Sequence, residues 1–107
     1  MKTQYVKVVV FVPETHAGVV RDALAQGGCG HMGAYDSCSF STVGVGRFRP
    51  LQRSNPAIGV IDTLQEVREE RIEVLCEGEN VEAVIAAVKK VHPYETPAIE
   101  VYPLFLP

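Results

Sequence analysis

The order of strand-like and helix-like segments predicts an α+β domain of the ferredoxin-like, split βαβ type, with two helices on one face of an antiparallel sheet. The chain has 107 residues, which suits one domain, and its apolar content of 47% is enough for one core. Segments with strand and helix periodicity follow one another in the order β-α-β-β-α-β. We therefore expect residues 1–107 to form a single domain.

The first strand and the first helix are predicted from two short patterns. Tyr5 to Val12 is apolar and β-branched at nearly every position, which is typical of a central strand. Thr15 is expected to cap the helix that follows. The apolar residues of that helix recur at helical spacing and are Val20, Ala23 and Leu24.

Two further segments alternate and are predicted to be half-buried strands, Tyr35 to Val43 and Arg71 to Glu77. In the strand from Tyr35 to Val43, the residues expected to share one face are Cys38, Phe40 and Thr42. In the strand from Arg71 to Glu77, the residues expected to face inward are Ile72, Val74 and Cys76. Between them we predict an unusually long loop, Gly44 to Glu69, whose one helical hint is Thr63 to Val67. Loops of this length are usually functional or flexible.

The second helix has the strongest pattern in the chain and begins after Asn80. Its apolar stripe falls at positions i, i+3, i+4 and i+7, namely Val81, Val84, Ile85 and Val88. Pro93 cannot continue a helix, so it marks the end of this one. The last strand is predicted at Ala98 to Tyr102, which alternates again.

Composition and motifs exclude several classes of function. The formal net charge is −3 with acidic and basic residues mixed, so nucleic acid is not an expected partner. No apolar run approaches the length of about 20 residues that a membrane helix needs. Since no signal peptide is recognisable, we expect a cytoplasmic protein. The chain has neither a nucleotide-binding glycine loop nor a hydrolase motif, and we predict that it is not an enzyme.

The tetrapeptide His92-Pro93-Tyr94-Glu95 is the first candidate site. It brings an imidazole, a phenol and a carboxylate to a turn between a helix and a strand, and His and Glu are both competent metal ligands. A structural interpretation stays open, in which His92 and Pro93 end the helix, Tyr94 packs and Glu95 is solvated.

Two other clusters are also candidates. Cys29-Gly30-His31-Met32-Gly33 could attract a soft metal such as copper, with His31 as a ligand, although the pattern favours a glycine-shaped turn. Arg47 and Arg49 are expected to project on the same side of an extended segment, where they would form an anion site or a merely solvated basic loop. The cysteines number three and lack CxxC spacing, so we expect reduced thiols and no disulfide scaffold.

Several of these motifs, in this order, resemble the YqfO-type domain inserted in the dinuclear-metal-centre family of GTP cyclohydrolase I type 2 homologues. The motifs that carry the resemblance span nearly the whole chain and are Gly30 to Phe40, Gly46 to Pro50, Asn55 to Gly59, Glu66 to Glu73 and His92 to Glu95. The resemblance implies a fold similar to that of the trimeric CutA and PII-like proteins. We expect this chain to be a stand-alone protein with that fold. In that family the metals are held by flanking lobes, so metal-dependent hydrolysis is not implied for this chain.

We therefore expect a non-catalytic binding or regulatory module, a homotrimer that recognises a small ligand or a metal ion at clefts between subunits. The ligand residues expected are Arg47, Arg49 and Tyr94, and the metal residues expected are His31, His92 and Glu95. One alternative is a dedicated protein for binding a divalent metal or copper ion. A further alternative is a domain that docks on a partner from the dinuclear-metal-centre family.

Overall fold

A four-stranded antiparallel sheet with both helices packed on one face forms the framework of the computed structural model, which describes residues 4–107. In chain order the elements are β1 (Tyr5–Pro13), α1 (Ala17–Gln26), β2 (Phe40–Phe48), β3 (Gln65–Glu77), α2 (Val81–Val91) and β4 (Ala98–Pro103). The strands lie in the order β2-β3-β1-β4. The ferredoxin-like arrangement predicted from the element order is confirmed.

The core lies between the sheet and the two helices, and the sequence periodicity accounts for it. Alternate residues of β1 and β3 point toward the helices, namely Val6, Val8, Val10, Val12, Ile72, Val74 and Cys76. They meet the apolar stripes of the helices, namely Ala17, Val20, Leu24, Val84 and Val88. Burying a side chain of this size contributes about 1.5–3 kcal/mol. This core fixes β1 and β3 as the central strands.

The second and third strands differ from their predicted bounds. β2 begins at Phe40 and not at Tyr35, because the segment before it is tied to the end of α1: the Cys38 N–H donates to the Gly30 carbonyl at 3.0 Å. β3 begins at Gln65, so the helical hint at Thr63 to Val67 is wrong. Pairing between β2 and β3 along the full length of β2 replaces much of the predicted loop. The remaining connection covers residues 49–64.

The faces of β2 also differ from the prediction. Phe40 is 67% exposed, on the sheet face that the helices do not cover. On this open face it is followed along β2 by Thr42, Gly44, Gly46 and Phe48. Odd-numbered residues of β1 and β3, among them Phe11 and Glu69, lie on the same face. The open face therefore combines aromatic, charged and glycine positions.

A disulfide bond joins Cys29, just after α1, to Cys76 in β3, and it corrects the expectation of reduced thiols. The two Cα atoms lie 4.5 Å apart although 47 positions separate the residues in sequence, so folding alone brings them together. Cys38 is the free cysteine. Because Cys29 is bonded to sulfur, it is not available as the thiolate that a copper site at this turn would use.

The helices of residues 4–107 are too short or too polar for any of them to cross a bilayer.

Candidate ligand-binding site

A cavity of about 500 Å³ opens where the open face of the sheet meets the 49–64 connection and the turn after α2. This volume falls within the range of about 300–1,000 Å³ that is common for small-molecule sites. Its apolar lining comes from Phe11, Phe48, Pro50, Pro56, Ala57 and Ile58. Polar side chains converge on the same space from Glu69, Tyr94 and Glu95. Such a combination of an apolar wall and a few polar groups is typical of a ligand pocket.

Glu69 is the buried acid of this cavity, with 9% of its surface exposed. Its carboxylate lies beside Gly46, where an added Cβ atom would displace it. One carboxylate oxygen, Oε2, accepts a hydrogen bond of 2.7 Å from the Tyr94 hydroxyl. The other oxygen, Oε1, has no hydrogen-bond donor among residues 4–107. Half of the carboxylate is therefore open to a further donor.

Tyr94 links the aromatic wall to this acid. Its ring packs edge-on against Phe48, with centroids 5.4 Å apart. Burial raises the pKa of Tyr94 well above its usual value, and the hydrogen bond to Glu69 raises this pKa further. The phenol consequently keeps its proton and acts as a fixed donor to the carboxylate.

His92 is a structural residue of the turn and does not line the cavity. It is 7% exposed, its Nε2–H donates to the Phe11 carbonyl at 2.7 Å, and its Nδ1 accepts from the Tyr94 N–H at 3.1 Å. Burial lowers the pKa of His92, outweighing the hydrogen bond to Phe11 and the field of Glu69. The neutral imidazole thus fixes the backbone that presents Tyr94.

Glu95 connects the turn to the 49–64 connection. Its Oε1 accepts a hydrogen bond of 3.0 Å from the Asn55 N–H, and its side chain lines the cavity. This bond holds the apolar part of the connection over the cavity. Glu95 thereby contributes both to the shape of the site and to its negative charge.

The two predicted ligand arginines have separate acidic partners. Arg47 lines the cavity, but its Nε lies 3.6 Å from a carboxylate oxygen of Glu66. Arg49 lies outside the lining, with its Nη1 3.6 Å from Asp62. Of the three predicted ligand residues, Tyr94 presents its side chain to the cavity. Arg47 borders the cavity, but its side chain lies with Glu66 on the opposite face of the sheet from Glu69, and Arg49 lies outside the lining.

The predicted metal residues do not meet within one chain. His31 is exposed and lies beside Tyr5, whereas His92 bonds Phe11, six positions further along β1, or roughly 20 Å away at about 3.3 Å per residue. In the part of the chain from residue 4 onward, no group of three or more His, Cys, Asp or Glu side chains is arranged to hold a metal ion. His92 also has both ring nitrogens engaged. A shared site for His31, His92 and Glu95 is thus not formed in the isolated chain.

Glu69, Phe11 and Phe48 are site residues that the sequence analysis missed. The sequence pattern predicts Glu69 at the end of a loop, whereas it lies within β3. The apolar alternation of Arg71 to Glu77 does not continue into residues 65–70, where Val67 is the one apolar residue, so no local pattern indicates that β3 begins at Gln65. The approach of Phe48 to Tyr94 depends on tertiary packing and leaves no local signal.

Known proteins resemble this chain in two ways, by sequence and by fold. No family model matches the chain. The GTP cyclohydrolase 1 type 2 homologue of Halalkalibacterium halodurans is 46% identical over 98 residues, which cover 92% of this chain and 26% of that protein. The structure of a Bacillus cereus protein related to NIF3 aligns with a TM-score of 0.82 and 43% identity, over 95% of this chain and 26% of that one.

A second group of solved structures shares the fold at low identity. The CutA protein of Archaeoglobus fulgidus, described as a periplasmic divalent cation tolerance protein, aligns with a TM-score of 0.66 and 18% identity, over 94% of this chain and 83% of that one. This likeness shows the fold alone. The chain spans about a quarter of the curated relatives that it matches. The predicted resemblance is therefore confirmed: this chain is related to one domain of the GTP cyclohydrolase 1 type 2 homologues, and it has the fold of CutA.

Proposed function

We propose that this protein is a non-catalytic binding or regulatory module that recognises a small ligand in the cavity beside Glu69 and Tyr94. The cavity itself carries the proposal, because an apolar volume of about 500 Å³ with convergent polar groups is the usual form of a small-molecule site. The site draws on β1, β2, β3 and the turn after α2. A ligand there would thus bridge most of the sheet.

Binding suits the polar groups of this cavity better than catalysis does. General acid–base catalysis is most efficient when the pKa of the group lies near the working pH. The pKa of Tyr94 is displaced upward, away from neutrality, and the His92 nitrogens are held by backbone groups. These side chains are arranged as fixed donors and supports, which favours recognition.

We further propose a homotrimer in which this cavity opens at a cleft between subunits. The CutA-like fold supports it, because the family resemblance implies a trimer. Exposed apolar side chains on β4 and the segment after it also support it, namely Val101, Phe105 and Leu106. Sedimentation velocity over a wide range of protein concentration tests the assembly. A strict monomer at high concentration would contradict it.

A metal ion is the second candidate ligand, because the carboxylates of Glu69 and Glu95 line the same cavity. Thermal unfolding with and without zinc or copper tests this candidate, since a ligand that binds only the native state raises Tm. The matched variant is Glu95→Gln, which keeps the shape of the side chain and removes its charge. If Tm is unchanged at a large excess of zinc and also at a large excess of copper, the metal candidate is excluded.

Ligand binding itself is tested by two-dimensional amide NMR during titration with a library of small molecules of mixed charge. We expect shifted resonances for residues around the cavity, such as Gly46 and Ile58, and unshifted ones for the distant α1. A library that shifts no cavity resonance would overturn the proposed function.

A further inference from the structure

The buried carboxylate of Glu69 has no basic side chain to neutralise it. The three arginines of β2 and β3 are engaged elsewhere: Arg47 pairs with Glu66, Arg68 pairs with Glu14, and the Nε of Arg71 lies 3.5 Å from Glu73. Among the residues that the structure describes, neither Glu69 nor Glu95 forms a salt bridge. A buried charge is costly unless it is paired. The free Oε1 of Glu69 is not sealed from solvent, since no fully buried side-chain oxygen among the described residues lacks a hydrogen-bond partner, so a positive group from outside the chain can reach it.

The apolar lining of the cavity indicates the chemistry of the ligand body that carries this positive group. Phe11, Phe48 and the ring of Tyr94 present aromatic surface, and Pro56 and Ile58 add aliphatic surface. Aromatic faces attract cations in addition to burying apolar groups. An apolar or aromatic body with one cationic end would satisfy both parts of the cavity.

We propose that the cavity binds a small organic amine, with its ammonium group donating to Glu69 Oε1 and its apolar body against Phe48 and Pro56. The inference rests on the proposed function and specifies the ligand class of that same site. Glu69 lines the cavity, its Oε2 accepts from the Tyr94 hydroxyl, and its Oε1 is free for a further donor. Glu95, at the exposed edge, adds attraction for a cation that enters.

The same charges discriminate against anions. A carboxylate or phosphate ligand would meet Glu69 and Glu95, and the one arginine in the lining already has Glu66 as its partner. Like charges brought together in an apolar site repel strongly. These charges favour a cationic ligand in the cavity, whereas the Arg47 and Arg49 pattern predicts an anion site.

Isothermal titration calorimetry with three probes of one shape tests the ligand class: phenethylamine, 2-phenylethanol and 3-phenylpropionate. A hydrogen bond to a charged group predicts that the amine binds about tenfold to a hundredfold more tightly than the alcohol. The carboxylate should bind most weakly of the three. Equal or tighter binding of 3-phenylpropionate would overturn the amine class and leave the proposed binding function standing.

Variants separate the charge from the shape of the cavity. Glu69→Gln should weaken phenethylamine binding about tenfold or more and leave 2-phenylethanol binding unchanged, because it removes the charge and keeps the volume. Glu77→Gln, an exposed position at the far end of the same strand, is the matched control and should change neither affinity. Circular dichroism verifies that each variant is folded. Unchanged amine affinity in Glu69→Gln would refute the role of Glu69.

A cavity-filling variant keeps the proposal testable even where Glu69→Gln fails to fold. Ala57 lies in the exposed connection and lines the cavity, so Ala57→Leu should weaken both the amine and the alcohol without disturbing the core. If none of the three probes binds the wild-type protein, the amine class is wrong. The proposed function fails separately, when the mixed library shifts no cavity resonance.

Discussion

Replacing Tyr94 by Phe removes one hydroxyl and tests the pairing at the centre of the site. The Tyr94 hydroxyl is the donor to Glu69 Oε2 at 2.7 Å, so Tyr94→Phe leaves a buried carboxylate without a donor among residues 4–107. A hydrogen bond to a charged group is worth about 1.5–3 kcal/mol, and since the Tyr94 ring is only half-buried we expect the lower half of that range. Urea denaturation at constant protein concentration should show a lower midpoint with an unchanged slope.

The chain offers a matched control at Tyr102, whose hydroxyl donates to Glu100, also at 2.7 Å, but at the exposed surface. Water replaces that bond, so Tyr102→Phe should leave the denaturation midpoint unchanged. A double-mutant cycle with Glu69→Gln isolates the Tyr94 interaction. A loss in Tyr94→Phe no larger than in the Tyr102 control, or a coupling of zero, would refute the pairing.

Three other perturbations have expected results that follow from the structure. Burial lowers the pKa of His92 below 6.5, so as the pH falls the unfolded chain binds this proton before the folded chain does. At pH values below about 6.5 the free energy of unfolding should therefore decrease, and His92→Gln should flatten this pH dependence in urea titrations. Cys76→Ala opens a loop of 47 positions and should cost about 4 kcal/mol by loop entropy in non-reducing denaturation, whereas Cys38→Ala should cost much less. Gly46→Ala should destabilise by about 1–3 kcal/mol through collision with the buried acid, whereas Gly44→Ala, with open space at its Cβ, should not; equal melting curves would contradict this.

The framework was predictable because each element of the core has a local signal. The alternation in β3 and the stripe in α2 correspond to the buried residues Ile72, Val74, Val84 and Val88. These side chains need only a sheet and a helix to face each other, and the order of elements supplies that. Local periodicity was therefore sufficient for the fold class.

The boundaries of β2 and the disulfide were not predictable in the same way. Residues 44–48 include two glycines, which have low strand propensity. These residues still form a strand because they pair with β3. Cys29 and Cys76 are far apart in sequence and have no spacing that indicates a bond. Both features depend on contacts between distant segments, which a single sequence does not reveal.

The turn His92-Pro93-Tyr94-Glu95 combines a structural residue with two residues that line the candidate site. Its first residue is structural, since both ring nitrogens of His92 hold backbone groups. Its last two residues face the cavity, and one of the bonds that His92 makes is to the backbone N–H of Tyr94. The buried imidazole thus positions the phenol that in turn holds Glu69. A substitution at His92 should therefore alter the cavity indirectly, by displacing Tyr94, while leaving the chemistry of the cavity lining in place.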